Sequence, residues 1–257
     1  MSIVSQLAQY PSLRGKNVFV TGGGTGIGAA MVSAFVEQGA RVAFVDVAAQ
    51  ESAALAEQLR AQGGTVWWQT CDVRDVAALQ QAIAQAQTEQ GDFSTLVNNV
   101  ARDDRHTLES VTPEYWDERM AVNQRPAFFA IQAIAPSMRR LGGGAVINLG
   151  STGWQTKGSG YPCYAVAKSS VNGLTRGLAD SLGADRIRIN TVSPGWVMTE
   201  RQIAMWLDAA GEADIQRSQC LPDKLKPSDV ARMVLFLASD DGAMCTAQEF
   251  KVDAGWA

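Results

Sequence analysis

The chain has 257 residues, 46% of them hydrophobic and 19% charged, with 22 basic against 26 acidic side chains for a formal net charge of −4. A chain of that length can bury most of its apolar surface in one core, and the composition excludes a disordered or collagen-like polypeptide. The acidic excess argues against a dedicated nucleic-acid binder, which would show a basic face.

Met1 to Gly15 holds no basic stretch leading into an apolar run, and nowhere do 18 apolar residues occur together. The expectation is a cytoplasmic protein with no membrane partner. Asn17 to Val20 reads as a strand, followed by the glycine cluster Thr21-Gly22-Gly23-Gly24-Thr25-Gly26-Ile27-Gly28 and a helical pattern from Ile27 to Gln38. Glycines at such a turn let the backbone approach a diphosphate, and the helix N-terminus behind them favours that anion. Arg41 to Val45 is a second strand ending at Asp46, some twenty residues on. There a carboxylate can accept hydrogen bonds from both hydroxyls of an adenosine ribose and would repel a 2′-phosphate. No Arg or Lys stands at Thr25 or Val47 to neutralise such a phosphate, so the expected cofactor is NAD.

Gln50 to Ala61 is helical, Thr65 to Gln69 a third strand, and Val76 to Gln90 again helical. Asp72 and Val73 fall between them, at the sheet edge where an adenine would be bounded. Thr95 to Val97, Ala145 to Leu149 and Ile187 to Val192 supply further strands, with helical patterns at Pro113 to Leu141 and Tyr164 to Leu182. Alternating strands and helices predict an α/β fold: a single-domain, Rossmann-type, doubly wound parallel sheet of about seven strands with helices on both faces. No repeat or linker divides residues 1–257. Thr199 to Pro227, after a Pro-Gly break, reads as an insertion able to cover a site, before a last helix at Ser228 to Ala238.

Tyr164-Ala165-Val166-Ala167-Lys168 puts a phenol and an ammonium at i and i+4 on one helix face, with Ser151 thirteen residues earlier. For a tyrosine to act as a base near neutrality its pKa must be pulled from about 10 to near 7, roughly 4 kcal/mol of preferential phenolate stabilisation. Lys168 and a positively charged nicotinamide are suited to supply it. His106 is the only imidazole, and Cys71, Cys163, Cys220 and Cys245 form no CxxC pair, so no metal is expected and a reducing compartment is the simpler setting.

Together the glycine pattern Thr21 to Gly28, Asn98-Asn99, Asn123, Ser151, Tyr164-x-x-x-Lys168 and Pro194-Gly195 resemble the short-chain dehydrogenase/reductase family from about Gly15 to the C-terminus. The resemblance implies that Tyr164 is the acid/base, that Ser151 polarises the reacting oxygen, that Lys168 binds ribose and modulates the phenol, and that Asn123 anchors a proton-relaying water. It also implies cofactor contacts at Gly22, Thr25, Gly26, Ile27, Gly28 and Asn99. The turn Pro194-Gly195-Trp196-Val197-Met198-Thr199 implies a carboxamide site, through the Val197 backbone and the Thr199 hydroxyl. One departure is Asn98-Asn99-Val100-Ala101 where the family usually has Asn-Asn-Ala-Gly, which narrows the allowed backbone beside the nicotinamide ribose. A homotetramer, through the helices at 113–141 and 164–182, is implied as well.

Substrate contacts must come from what the cofactor motifs leave over: Arg102 to His106, with Asp104 and His106 foremost, Trp154-Gln155, Tyr161, Trp196 and the 199–227 insertion. Large aromatics interleaved with polar groups suit a sugar, whose C–H face lies on a ring while its hydroxyls meet amides, carboxylates and imidazole. Tyr10-Pro11-Ser12-Leu13, Asp103-Asp104-Arg105-His106, Tyr115 to Arg119, Gln219-Cys220-Leu221 and Asp253 to Trp256 resemble bacterial NAD-dependent sugar 1-dehydrogenases. That implies oxidation of the anomeric hydroxyl of an aldose to a lactone, with D-xylose, L-arabinose, D-galactose and L-fucose all open. The competing expectations are another enzyme of the same scaffold, acting on a 3-oxoacyl thioester or a cyclic alcohol, and a non-catalytic dinucleotide sensor.

Overall fold

The computed structural model describes residues 8–158 and 160–257, so the first seven residues of the expected N-terminal segment lie outside the described residues. Seven strands, β1 (Asn17–Thr21), β2 (Arg41–Asp46), β3 (Thr65–Thr70), β4 (Thr95–Asn98), β5 (Gly144–Leu149), β6 (Ile187–Pro194) and β7 (Glu249–Val252), form one parallel sheet in the order β3-β2-β1-β4-β5-β6-β7. The order reverses between β1 and β4, which opens a crevice beyond the carboxyl ends of those two strands.

The strand sequences explain the layers. Val18, Val20, Val42, Phe44 and Ile147 point into one core with Met31, Val32 and Phe35 of α1 (Gly26–Glu37) and Val234 of α9 (Pro227–Ala238). Their alternate neighbours Phe19, Ala43, Val45, Leu96 and Val146 point the other way. These meet Leu79 and Ile83 of α3 (Val76–Gln90) and Ile134 and Met138 of α5 (Arg125–Arg140). Both faces of the central strands are therefore covered, which is why they read as unbroken apolar runs. Each fully buried Phe or Leu contributes about 1.5–3 kcal/mol relative to exposure.

Three features go beyond the sequence expectation. The pattern at 113–141 is two helices, α4 (Pro113–Asn123) and α5, broken at Gln124 (φ −127°, ψ −57°). Pro126 has no N–H to continue the ladder and its ring collides with the preceding turn, so it sits where a new helix begins. The strand β7 was given only by number in the count of about seven: its half-buried Glu-Phe-Lys-Val pairs with β6 alone and lacks an apolar run. The 199–227 insertion folds as α7 (Glu200–Trp206) and α8 (Ala209–Ser218), capped by Thr199 and Asp208. The remaining helices are α2 (Ala49–Ala61) and α6 (Pro162–Gly183).

Candidate active site

At the crevice, Gly22 (φ +70°) donates to the Val45 carbonyl at 2.7 Å, turning the chain back from β1. A Cβ at Gly28 would lie 1.7 Å from the Gly22 carbonyl oxygen, so only glycine lets α1 start this close to the turn. Thr25, at the N-cap of α1, makes no side-chain cap, which leaves the leading N–H groups of that helix without a side-chain acceptor. Ile27 turns toward the core behind them, and Gly26 lies against the Thr199 methyl. The Asn99 amide donates to the Gly22 carbonyl at 2.8 Å, and the Asn99 N–H to the Thr21 hydroxyl at 3.1 Å. Asn99 thereby ties the glycine turn to the end of β4.

Asp46 is buried, and its two oxygens accept from Gly24 N–H at 2.8 Å and Ala48 N–H at 3.0 Å. The carboxylate is thus fixed over the glycine turn with lone pairs left for further donors. Asp72 is paired with Arg74 at 2.5 Å, and Arg74 holds the carboxyl below its usual range. The Val73 side chain lies in the core, so only its backbone can face a ligand. A glycine cradle that a Cβ would fill, an uncapped helix start and a buried carboxylate fit a dinucleotide, with its diphosphate at the turn and its adenosine ribose at Asp46.

Pro194 ends β6, and Gly195 donates to the Val252 carbonyl at 3.0 Å; a Cβ there would come within 2.9 Å of Asp253. Val197 is buried, and the Thr199 hydroxyl accepts from Gln202 N–H at 3.2 Å while keeping its own hydrogen to donate. These residues stand beside the glycine turn, where a nicotinamide amide would reach.

Ser151 caps a short 3-10 turn, accepting from Gly153 N–H at 3.1 Å, with its hydroxyl close enough to the Tyr164 phenol to act on its pKa. Tyr164 lies in the first turn of α6 and Lys168 one turn on, its Nζ 6.0 Å from the Tyr164 ring centre and donating to the Leu149 carbonyl at 2.6 Å. Burial pushes the Tyr164 phenol up to about 12, opposed by the neighbouring Ser151 hydroxyl, and pulls the Lys168 ammonium down to about 8. The Asn123 amide accepts from Arg102 N–H at 2.7 Å and donates to the Arg102 carbonyl at 3.1 Å. Asn123 therefore holds the 102 loop with one lone pair and one hydrogen of its amide, keeping one of each for a further partner. Beside Asn123 and Lys168 is a cavity of about 20 Å³, the size of one water.

The substrate side is more bound up than the sequence suggests. Asp104 pairs with Arg102 at 3.0 Å, Arg119 at 2.5 Å and Arg201 at 2.9 Å, so this expected sugar ligand is already engaged by three guanidinium groups. His106 accepts from Cys163 N–H at Nε2 (3.1 Å), which requires its proton on Nδ1, facing the Asp104 carbonyl at 2.8 Å and the Tyr115 hydroxyl at 3.1 Å. With both ring nitrogens engaged, it fastens the loop to the start of α6 and offers no hydrogen bond to a ligand. The Gln155 amide donates to Glu249 at 3.0 Å, which draws it to β7. Trp154 is part-exposed at the end of the 3-10 turn.

What faces Tyr164 instead is Tyr161, edge-on with ring centres 5.7 Å apart, and the Arg105 guanidinium, stacked 4.6 Å from both Tyr161 and Trp206. Helix α7 is held down by Arg201 on Asp103 and Asp104 and by the Gln202 amide on Asp103 at 2.8 Å, while Trp196 Nε1 donates to Gln202 at 3.0 Å. Arg201, Gln202 and Glu249 carried no sequence signal, because the contacts that tie them to the substrate side, to Asp103, Asp104 and Gln155, span more than ninety positions. Among the described residues no cluster of His, Cys, Asp and Glu could hold a metal ion, and no helix is long and apolar enough to cross a membrane.

A family model described as enoyl-(acyl carrier protein) reductase matches residues 22–257. The chain is 47% identical over 249 residues to D-xylose 1-dehydrogenase of Caulobacter vibrioides strain NA1000/CB15N, covering 97% of this chain and 98% of that one. It is also 47% identical over 249 residues to the probable galactose dehydrogenase of Rhizobium meliloti strain 1021, covering 96% and 97%. Among solved structures, a short-chain dehydrogenase/reductase from Serratia marcescens BCRC 10948 aligns with a TM-score of 0.88 at 34% identity, over 95% of this chain and 99% of that one. A blue fluorescent protein from a metagenomic library, in complex with NADPH, aligns with a TM-score of 0.89 at 37% identity, over 96% and 99%.

Proposed function

The chain belongs to the short-chain dehydrogenase/reductase family, and we propose that it oxidises the anomeric hydroxyl of an aldose, D-xylose or a similar sugar, to the lactone with NAD. The observation that carries this is the run Ser151, Tyr164, Lys168 beside the glycine cradle, roofed by aromatic rings and ion-paired polar groups rather than by an apolar tunnel. Nicotinamide, when bound, accepts the two electrons and supplies a positive charge. Tyr164 takes the hydroxyl proton, and Ser151, whose oxygen is held by Gly153 N–H, turns its own hydrogen to the reacting oxygen. Lys168 keeps donors beyond the Leu149 carbonyl for ribose hydroxyls. Burial alone disfavours the phenolate, so positive charge must be brought into this low-dielectric site, where it acts more strongly than in water.

NAD is favoured by the buried Asp46 carboxylate, against which a 2′-phosphate would be repelled; the NADPH-bound neighbour makes NADP the alternative. The substrate class rests on the two sugar dehydrogenases at equal identity. An acyl-thioester reductase, the reaction in the family model's description, is the second reading. Following NADH absorbance over a panel of aldoses with both cofactors tests all of this: turnover of a pentose or hexose with NAD is expected, and activity only on acyl thioesters or cyclic alcohols overturns it. Tyr164→Phe should abolish turnover while NADH still binds; unchanged turnover would remove Tyr164 from the chemistry, and NADH binding by the wild type with no turnover of any substrate would point to a non-catalytic sensor.

The same proposal includes a homotetramer in the cytoplasm. It is supported by a groove of about 570 Å³ on α4, α5 and α6, lined by Met120, Phe128, Phe129 and Leu174 with Phe128 exposed, and by four free cysteines. Light scattering of the eluted protein should give four times 27.5 kDa, and a monomer mass overturns the assembly.

A further inference from the structure

The Arg105 guanidinium is held between two aromatic rings: its central carbon lies 4.6 Å from the ring centre of Tyr161, just before α6, and 4.6 Å from that of Trp206, the last residue of α7. Both separations suit a cation on a π-face. The faces of two aromatics on which a sugar's C–H side could lie are therefore taken by a cation. The Arg105 stem runs along Gly160, where a Cβ would stand 3.7 Å from Cδ, and His106 N–H donates to the Gly160 carbonyl at 2.8 Å. The segment ahead of α6 thus fixes the stack from one side, and α7, tied down through Arg201 and Gln202, fixes it from the other.

A guanidinium has five N–H donors, all in its plane. With a ring on each face, a ligand reaches it only at its edge. Nη1 is spent on Asp103, donating to the carbonyl at 2.9 Å and to Oδ2 at 3.4 Å. Among the described residues Nε and Nη2 meet no acceptor, and the side chain is 30% exposed. These two nitrogens present parallel N–H bonds, a fork that takes two oxygens side by side. Tyr161 stands edge-on to Tyr164 with ring centres 5.7 Å apart, so one aromatic ring separates the fork from the phenol. Asp103 and Arg105 both lie near enough to act on that phenol, in opposite directions. Two oxygens side by side belong either to a carboxylate or to neighbouring hydroxyls. Asp103 already supplies the negative charge on this guanidinium, which disfavours a second carboxylate and leaves hydroxyls.

We propose that Arg105 is the specificity-determining residue for the sugar: its Nε and Nη2 donate to the 3- and 4-hydroxyls, the neighbouring pair that the ring extends away from the reacting carbon. The inference rests on the aldose reading above and names the part of the aldose that the site reads. The pair must be gauche, with both hydroxyls equatorial or one of them axial, because a trans-diaxial pair points apart and fits no fork. Removing either hydroxyl leaves a desolvated, charged donor without an acceptor, which is how a polar site rejects an analogue that lacks one group.

Deoxy sugars test this. For the aldose that the wild type turns over fastest, removing the 3- or the 4-hydroxyl should lower kcat/KM at least tenfold. Two variants are compared, Arg105→Met and Arg105→Lys, the second keeping the charge without the fork or the flat stack. Each should lower kcat/KM for the full sugar at least tenfold, leave the deoxy analogues within about threefold of that sugar, and keep KM for NAD unchanged. Each variant is compared with itself on two substrates, so a loosened loop that slows every sugar alike is not mistaken for a lost contact. Discrimination retained in both variants, none in the wild type, or loss of all turnover in both variants overturns the proposal. So does a wild type that prefers an alduronic acid to the matching aldose, since that places a carboxylate on the fork. No turnover of any aldose by the wild type overturns the aldose reading and this one with it, whereas failure of the deoxy comparison alone leaves the aldose reading standing.

Discussion

The Lys168 ammonium is buried and donates to the carbonyl of Leu149, the last residue of β5, at 2.6 Å. That single bond fixes a charge inside the protein where burial opposes it and pulls its pKa from 10.5 to about 8. Below pH 8 both the folded and unfolded chains hold the proton, and the burial penalty is then at its full value of about 3 kcal/mol. Between pH 8 and 10.5 the unfolded chain binds more protons, so stability rises with pH. Lys168→Met removes the penalty but loses a hydrogen bond from a charged donor to Leu149, roughly 1.5–3 kcal/mol. The variant should be inactive yet as stable as wild type or more so, by up to about 1.5 kcal/mol, at pH 7 in urea unfolding of the ligand-free protein. The gain should shrink toward pH 10, and a variant less stable than wild type at pH 7 would contradict this.

Asp46 is held in place by two backbone donors before any ligand arrives. A charged acceptor of this kind contributes roughly 1.5–3 kcal/mol to a bound hydroxyl pair. Asp46→Ala should raise KM for NAD by about tenfold or more and improve the use of NADP relative to NAD, read as the ratio of kcat/KM values. A ratio that does not move would remove Asp46 from cofactor choice.

Arg201 and Gln202 hold α7 to the 103–104 loop. Arg201 is part-exposed, so its pairs are screened and worth about 1 kcal/mol in all. Arg201→Gln should raise KM for sugar about threefold to tenfold with KM for NAD unchanged, and the wild-type KM for sugar should climb with salt while the variant's does not. An identical salt response in both proteins would count against the latch.

His106→Ala is expected to act through the fold. Losing the acceptor of Cys163 N–H beside Tyr164, and the partner of the Asp104 carbonyl, should cost about 1–3 kcal/mol in thermal or urea unfolding. It should lower kcat as well as raise KM for sugar. A rise confined to KM for sugar with unaltered stability would make the imidazole a ligand contact after all.

Much of the architecture is legible in the chain because its signals are local. The apolar runs at 17–20, 41–45 and 65–69 lie within a residue of the observed strands, and the Tyr164/Lys168 pair is a helix spacing. Edge strand β7 escapes because it is half-buried and short, and the Gln124 break because helix periodicity continues through Pro126. The substrate side is the least legible. Asp104, His106 and Gln155 are polar residues in the expected places, yet each is claimed by a partner distant in sequence: Arg201, Cys163 and Glu249.

The sequence by itself determined the alternating strands and helices, the glycine turn ahead of Asp46, and the phenol and ammonium one turn apart, because each depends on backbone conformation and periodicity over a few residues. Only the tertiary structure decided which polar groups are already satisfied by the protein and which remain open, such as Asn98 Oδ1. A hydrogen bond or ion pair is settled by separations of about 3 Å between residues as far as about a hundred positions apart in the chain, and no local pattern encodes that distance.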